Sequence, residues 1–296
     1  MIRVVRLRLE WEPALVGLGL LGLVLGAACA VAALLNGGWF VEPEGRLMDA
    51  LRFEVGSGIF FLTTAALVPL AGFTAGARLR WVTVLVVMGV YFLGIETVQA
   101  IRGLDPRFTT AGTTVDQAAG AVFGVTALLL ILLTAILAAR FFRSTTMADR
   151  PDVRTAIRYG FAGIAFSFGV GVAMSALSGR VVGPAGSLMP VHAAGLHGIQ
   201  AIPLLALVAR ARGVKPSLRN ALIHVAGVGW LLLCAGLLAQ AYAGRTPVEI
   251  SVWNAAAAAG VIGVLGALAI AVAPHSTSSD GSHSVTSARR TPGGRP

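Results

Sequence analysis

Glu96, Gln99 and Arg102 stand three residues apart in GIETVQAIRG, so a carboxyl, an amide and a guanidinium share one face of a helix, with Phe92 one turn earlier. Asp116 and Gln117 follow a short Gly-Thr-rich segment. A second concentration lies in VHAAGLHGIQAIP, 191–203, which holds His192, His197, Gln200 and Pro203 and runs straight into LLALVA. Carboxyls and imidazoles are the groups that move protons. Pro203 has no N–H, so it frees the carbonyl of Ile199 beside His197 and Gln200; Pro69 does the same for Ala65.

The elements that carry these groups are apolar. The 296 residues are 56% hydrophobic and 12% charged, where soluble domains carry about 25% charged residues. The apolar residues come in long runs without the alternation of a β-barrel. They predict an all-α membrane protein, a bundle of about eight transmembrane helices over 13–35, 56–77, 81–101, 115–139, 156–178, 193–212, 220–242 and 252–273. Each run is near the roughly 20 residues that cross about 30 Å of hydrocarbon. The first is read as a span and not as a cleaved leader, because Glu10 and Glu12 interrupt its basic start and the run continues to Leu35. Gly26 stands where a lipid-attachment site at Cys29 would have a bulky residue. Cys29 and Cys234 both fall inside spans and read as small buried residues. The Ser/Gly/Pro-rich segment 275–296, with His275 and His283, reads as a disordered cytoplasmic tail. The two halves of the chain show no convincing repeat.

The net charge of +10 follows topology and does not indicate nucleic acid. With the N-terminus cytoplasmic, seventeen Lys and Arg fall in cytoplasmic segments and six in outer ones, so the positive-inside rule places both termini in the cytoplasm. The basic loop 140–158 would face anionic headgroups. Trp11 and Trp81 then fall at the inner interface, Trp39 and Trp253 at the outer one. Gly22 and Gly26, Gly72 and Gly76, and Gly260, Gly263 and Gly266 have the spacing that lets membrane helices approach closely.

This topology gathers the polar side chains in the outer half. Glu96, Gln99 and Arg102 end span three, Asp116 opens span four, His192, His197 and Gln200 open span six, and Gln240 ends span seven. Thr63 and Thr64 lie in the outer half of span two. Ionisable groups at membrane depth mark function by default, and several at one depth predict a polar chamber built from spans three, four and six. Each has a plainer reading. Glu96 and Arg102 could anchor a helix end, Asp116 could favour a helix N-terminus, His192 could be interfacial, His197 and Gln200 could serve as structural hydrogen-bonding groups, and His224 near the inner end of span seven could serve packing.

Three functions compete. An enzyme acting on a lipid-soluble substrate such as an isoprenoid would use Glu96 as acid and His197 or Asp116 as the matching base, with Gln99, Arg102, His192 and Gln200 binding. Phe60, Phe61, Tyr91, Phe92 and Phe123 would supply aromatic lining. An Asp-Asp-x-x-Asp run for prenyl transfer is absent. A proton-coupled transporter would suit the kinked helices, yet His224 is the only ionisable candidate deep on the inner side. Metal would have to use His192, His197, Glu96 and Asp116, and a bis-histidine haem fails because His197 and His224 lie at opposite depths. There is no P-loop, dinucleotide fingerprint or nucleophile motif, so no cofactor is named. The expected partners are membrane lipids and a lipidic small molecule.

The segments ETVQAIRGLDPRF, 96–108, and HAAGLHGIQAIPLLA, 192–206, resemble an uncharacterised family of bacterial multi-span membrane proteins. In that family an Arg-Gly turn follows span three, and a later span opens with His, Gly-Leu-His, Gln and Pro. Arg102-Gly103 and His192, Gly195-Leu196-His197, Gln200 and Pro203 match. The chain departs at Leu104-Asp105-Pro106-Arg107, where the family has Ser-His-Phe-Asn after one intervening residue, so any role of that histidine is absent. The resemblance implies a bacterial plasma membrane and no particular activity.

Overall fold

A computed structural model describes residues 10–143 and 145–273; the segment expected to be a disordered tail lies outside them. Among the described residues, eight helices are long and apolar enough to cross a membrane. They are α1 (Pro13–Leu35), α2 (Leu47–Leu67, prolonged by a 3₁₀ turn over Val68–Ala71), α3 (Ala75–Ile101), α4 (Thr114–Phe142), α5 (Pro151–Ala176), α6 (Met189–Ala211), α7 (Pro216–Tyr242) and α8 (Val252–Val272). A two-residue-per-strand hairpin follows α1 (β1, Phe40–Val41; β2, Gly45–Arg46) and another follows α5 (β3, Val181–Val182; β4, Gly186–Ser187). The chain is thus a multi-span integral membrane protein. Helices α1 and α2, α5 and α6, and α7 and α8 pack as tight pairs, and one apolar core runs from Leu15 and Phe61 through Phe141 and Phe161 to Ile202 and Ile223.

Three expectations change. The second helix begins at Leu47, nine residues before 56, because Asp49, Arg52 and Glu54 dilute its first turns without breaking the helix. Trp81 is not an interfacial residue: it is 6% exposed, and its indole N–H donates to the carbonyl of Leu133 on α4 at 3.1 Å. The carbonyl freed by Pro69 is taken up by the start of α1, where the N–H of Glu12 donates to Ala65 O at 3.0 Å.

The fourth correction concerns the halves of the chain, which do repeat. Val41-x-Pro43-x-Gly45-x-Leu47-Met48 recurs as Val182-x-Pro184-x-Gly186-x-Leu188-Met189. Gln99-Ala100-x-x-Gly103-x-x-Pro106 recurs as Gln240-Ala241-x-x-Gly244-x-x-Pro247. Both recurrences have the same displacement of 141 residues (Val41 to Val182, Gln99 to Gln240), and so do the bounds of α3 and α7. Backbone bonds repeat at that displacement too: Leu47 N to Trp39 O and Leu188 N to Arg180 O, Glu44 N to Gly103 O and Ala185 N to Gly244 O. Each four-helix unit begins and ends on the same side of the membrane, so the two are parallel repeats of the kind related by an axis along the membrane normal.

The matching residues have a common cause. Gly45 and Gly186 are pressed against the last turns of α3 and α7, where a Cβ would run into the carbonyls of Ala100 and Ala241. Gly103 and Gly244 follow those turns at φ 79° and 69°, a conformation that favours glycine. The hairpin is therefore stitched to the end of the third helix in each unit by backbone contact. The repeat was hidden because it resides in these turns. Inside a span many apolar side chains serve equally, and resemblance decays there.

Candidate functional site

The end of the bundle that carries the hairpins holds the site. Glu96, on the last turns of α3, is 1% exposed, and Arg107 from the following loop donates to its Oε2 at 2.7 Å. The Arg107 guanidinium lies over the rings of Phe53 (α2) and Phe123 (α4), 5.1 and 4.8 Å from the centroids. Phe92 joins these two rings, 4.8 Å from Phe123 and 6.3 Å from Phe53. The ion pair is thus enclosed by three aromatic rings from three helices. The cation–ring contacts each add about 0.5–2 kcal/mol to the hold on Arg107.

One residue further along α3, Thr97 donates to Glu54 Oε1 at 3.1 Å, and Cys29 on α1 lies 4.0 Å from the same hydroxyl. Glu54 is 0% exposed, and its Oε2 has no hydrogen-bond partner. A carboxyl this deep is expensive unless it is used.

A separate network closes the junction of α3 and α4. Thr113 and Asp116 form a capping box, with Thr113 N donating to Asp116 Oδ2 at 2.8 Å. Asp116 Oδ1 accepts from Gln99 at 3.0 Å and from Arg102 at 2.6 Å. Both oxygens of Asp116 are engaged in tying helix ends together. Above it, Glu44 of the first hairpin accepts from the hydroxyls of Thr109 and Thr110, each at 2.6 Å, and from the N–H groups of Thr110 and Ala111. The Thr109 and Thr110 hydroxyls, aided by the Thr110 N–H, hold the Glu44 carboxyl down at about 2.

The groups expected from α6 go elsewhere. His192 Nδ1 lies 2.8 Å from Ser167 O and pins α6 to α5. His197 is exposed, and its ring lies 3.4 Å from the Gln200 amide on its own helix. The Gln200 amide is 2.9 Å from the Thr63 hydroxyl on α2, so it joins the two repeats. Among the described residues, no hydrogen bond links His197 to Glu96 or Asp116, and no group of three His, Cys, Asp or Glu converges as a metal would need. Thr64 and Thr134 give their hydroxyls to the carbonyls of Phe60 and Leu130 one turn back. His224 meets the Tyr159 hydroxyl at 3.0 Å, in a pair distinct from Glu96 and Asp116.

The repeat sorts these residues. Gln240, the counterpart of Gln99, also binds the cap of the following helix, accepting from the Ser251 hydroxyl and donating to Thr246 O and Glu249 O at 2.8 and 2.9 Å. Gln99 and Gln240 therefore do the same work, each tying the end of the third helix of its repeat to the start of the fourth. By contrast, at the displacement of 141 the positions of Glu54, Glu96, Thr97 and Arg107 hold Gly195, Leu237, Leu238 and Val248, and that of Cys29 holds Val170. The same fold is made without a single one of these polar groups. Reading single segments picked out Glu96 but missed Glu54, Thr97 and Arg107; setting the two repeats side by side is the signal that marks them. The chain matches no protein-family model, no curated protein and no solved structure.

Proposed function

We propose that this protein is a membrane-embedded enzyme whose single site, built by the first repeat, binds a lipid-soluble small molecule and acts on it by acid and base chemistry. The observation that carries the reading is the one-sided polarity of the repeats. Glu54, Glu96, Thr97 and Arg107 sit where the second repeat has glycine or aliphatic residues, so the fold does not demand them. Buried charge that a fold does not demand is an expense, and function is the ordinary reason to retain it. Glu96, held by Arg107, is the ionised carboxylate and the base. Phe53, Phe92 and Phe123 favour an apolar ligand such as an isoprenoid. Asp116, Gln99 and Arg102 hold the helix ends that position Glu96, and His192 and Gln200 support the second repeat and its contact with the first.

We place the protein in a bacterial plasma membrane with both termini cytoplasmic, so the site lies toward the outer face. The excess of Lys and Arg at the opposite end supports that orientation. The test is purification in mild detergent followed by mass spectrometry of retained lipid. A lipid retained by the native chain and lost from both Glu96→Gln and Arg107→Gln, while Gln200→Leu keeps it, supports the reading. Equal retention by all four overturns it.

A further inference from the structure

Glu54 stands apart from the rest of the site. It is wholly buried on α2, one residue from the Phe53 ring that covers Arg107. The hydroxyl of Thr97 satisfies Oε1, and nothing satisfies Oε2. Among the described residues no cation pairs with it, since Arg107 is spent on Glu96 and Arg180 on Asp49, at 2.7 and 2.8 Å. The titratable groups facing it are Cys29 from α1 and Glu96 from α3, and neither can offset a negative charge. The whole set is replaced together in the second repeat, Cys29, Glu54 and Thr97 by Val170, Gly195 and Leu238.

An anionic carboxylate held by one hydroxyl in a low-dielectric interior is poorly compensated. A neutral carboxyl needs less, but its O–H then wants an acceptor. Thr97 meets Oε1, and among the described residues nothing meets Oε2, so an O–H on Oε2 is open to an acceptor brought by a bound molecule. The geometry points to Glu54 as a second ligand-facing group of the proposed site, offering an O–H from Oε2 to an oxygen atom of the bound molecule. This rests on the reading of the first repeat as a ligand site, and it narrows the ligand from a plain hydrocarbon to a lipid-soluble molecule with an accepting oxygen: an alcohol, ether, carbonyl or ester. The site then has two carboxyls in opposite roles, Glu96 ionised against Arg107 and Glu54 neutral against the ligand, the arrangement by which acid and base are kept distinct within one site.

The full chain in detergent can be treated at neutral pH with dicyclohexylcarbodiimide, an apolar reagent that attacks protonated carboxyls, and the peptides read by mass spectrometry. The label is expected on Glu54 and not on Glu96. Hexadecanol should slow labelling several-fold where hexadecane does not. Infrared spectra should show a protonated-carboxyl carbonyl band that is lost in Glu54→Gln and kept in Glu96→Gln; this readout on the native chain and on Glu96→Gln stands even where Glu54→Gln folds poorly. Label on Glu96 with Glu54 unmarked, or protection by both compounds or by neither, overturns the inference. A labelled, alcohol-protected Glu54 in a chain that retains lipid regardless of Glu96 and Arg107 would sink the wider reading while leaving the Glu54 assignment in place.

Discussion

The second repeat supplies a template for removing the charge at the site, and transplanting it separates fold from function. Glu96→Leu and Arg107→Val copy Leu237 and Val248, the residues at the equivalent positions. The Glu96 side chain is 2% exposed and that of Arg107 is 25% exposed. Stripping Glu96 alone leaves a guanidinium held only by the faces of Phe53 and Phe123. Breaking a buried pair costs about 3–5 kcal/mol, and because Arg107 reaches some water the low end, about 3 kcal/mol, applies. Arg107→Val alone leaves an uncompensated carboxylate with less access to water, and its cost should be similar. The double variant has no orphaned charge. Replacing a buried pair by apolar groups is close to neutral, so it should lie within about 1 kcal/mol of the native chain. The coupling is then roughly 5 kcal/mol, well above the few tenths seen between independent sites. Denaturant unfolding in micelles, followed by tryptophan fluorescence, measures all four corners of the cycle. The double variant should be nearly as stable as the native chain and retain no lipid. If it loses the sum of the two single costs, the pair is part of the scaffold, and the comparison of repeats has been misread.

The clasp between the first hairpin and the loop before α4 should respond to acid. Glu44 is held down at about 2, below its ordinary value of 4.5, so its contribution is present above about 4.5 and is lost as pH falls toward 2. Hydrogen exchange of residues 105–111, corrected for the intrinsic rate, should show protection at neutral pH that is absent in Glu44→Gln and that the native chain loses over that window. The repeat itself predicts parallel costs: Gly45→Ala and Gly186→Ala should each destabilise by about 1–3 kcal/mol, because each pushes a hairpin off a helix end. A large cost at one and none at the other in the same unfolding assay would break the equivalence. Trp81→Phe and Trp230→Phe remove indole bonds to Leu133 O and Ala194 O and should each cost about 1 kcal/mol, measured by the shift in unfolding midpoint.

The spans were legible because hydropathy over twenty residues is a strong signal, and even their errors have a local cause. Leu47–Val55 is helical although it carries Asp49, Arg52 and Glu54, since a charge at the end of a span, or one that finds a partner, need not stop a helix. Asp49 has such a partner in Arg180 of the second repeat, a contact no local reading of α2 contains. A span that begins at 56 places Glu54 outside it, although the helix already contains it. Glu96 was found because it stands inside an apolar run. Helical spacing puts Arg102 on its face, whereas the chain turns at Gly103 and brings Arg107 back over α3. Arg102 goes to Asp116 instead. Spacing along one helix cannot show what a returning loop delivers.

The histidines show the opposite bias. His192 and His197 drew attention as rare polar groups in an apolar setting, yet one is bound to Ser167 and the other is exposed. Rarity of type is a weaker guide than difference from a structural equivalent. A polar residue that recurs at both equivalent positions, as Gln99 and Gln240 do, is explained by the contact that both positions make. A polar residue opposed by Leu, Val or Gly at the equivalent position has no such explanation. Duplication gives this chain its own control: one copy keeps the architecture with aliphatic residues, which frees the other to bear Glu54, Glu96 and Arg107 at a cost in stability. It follows that stability and ligand retention should part company across the two repeats. The paired change Glu96→Leu with Arg107→Val should cost lipid before it costs fold, whereas Leu237→Glu should cost fold alone, because no arginine returns there to meet it.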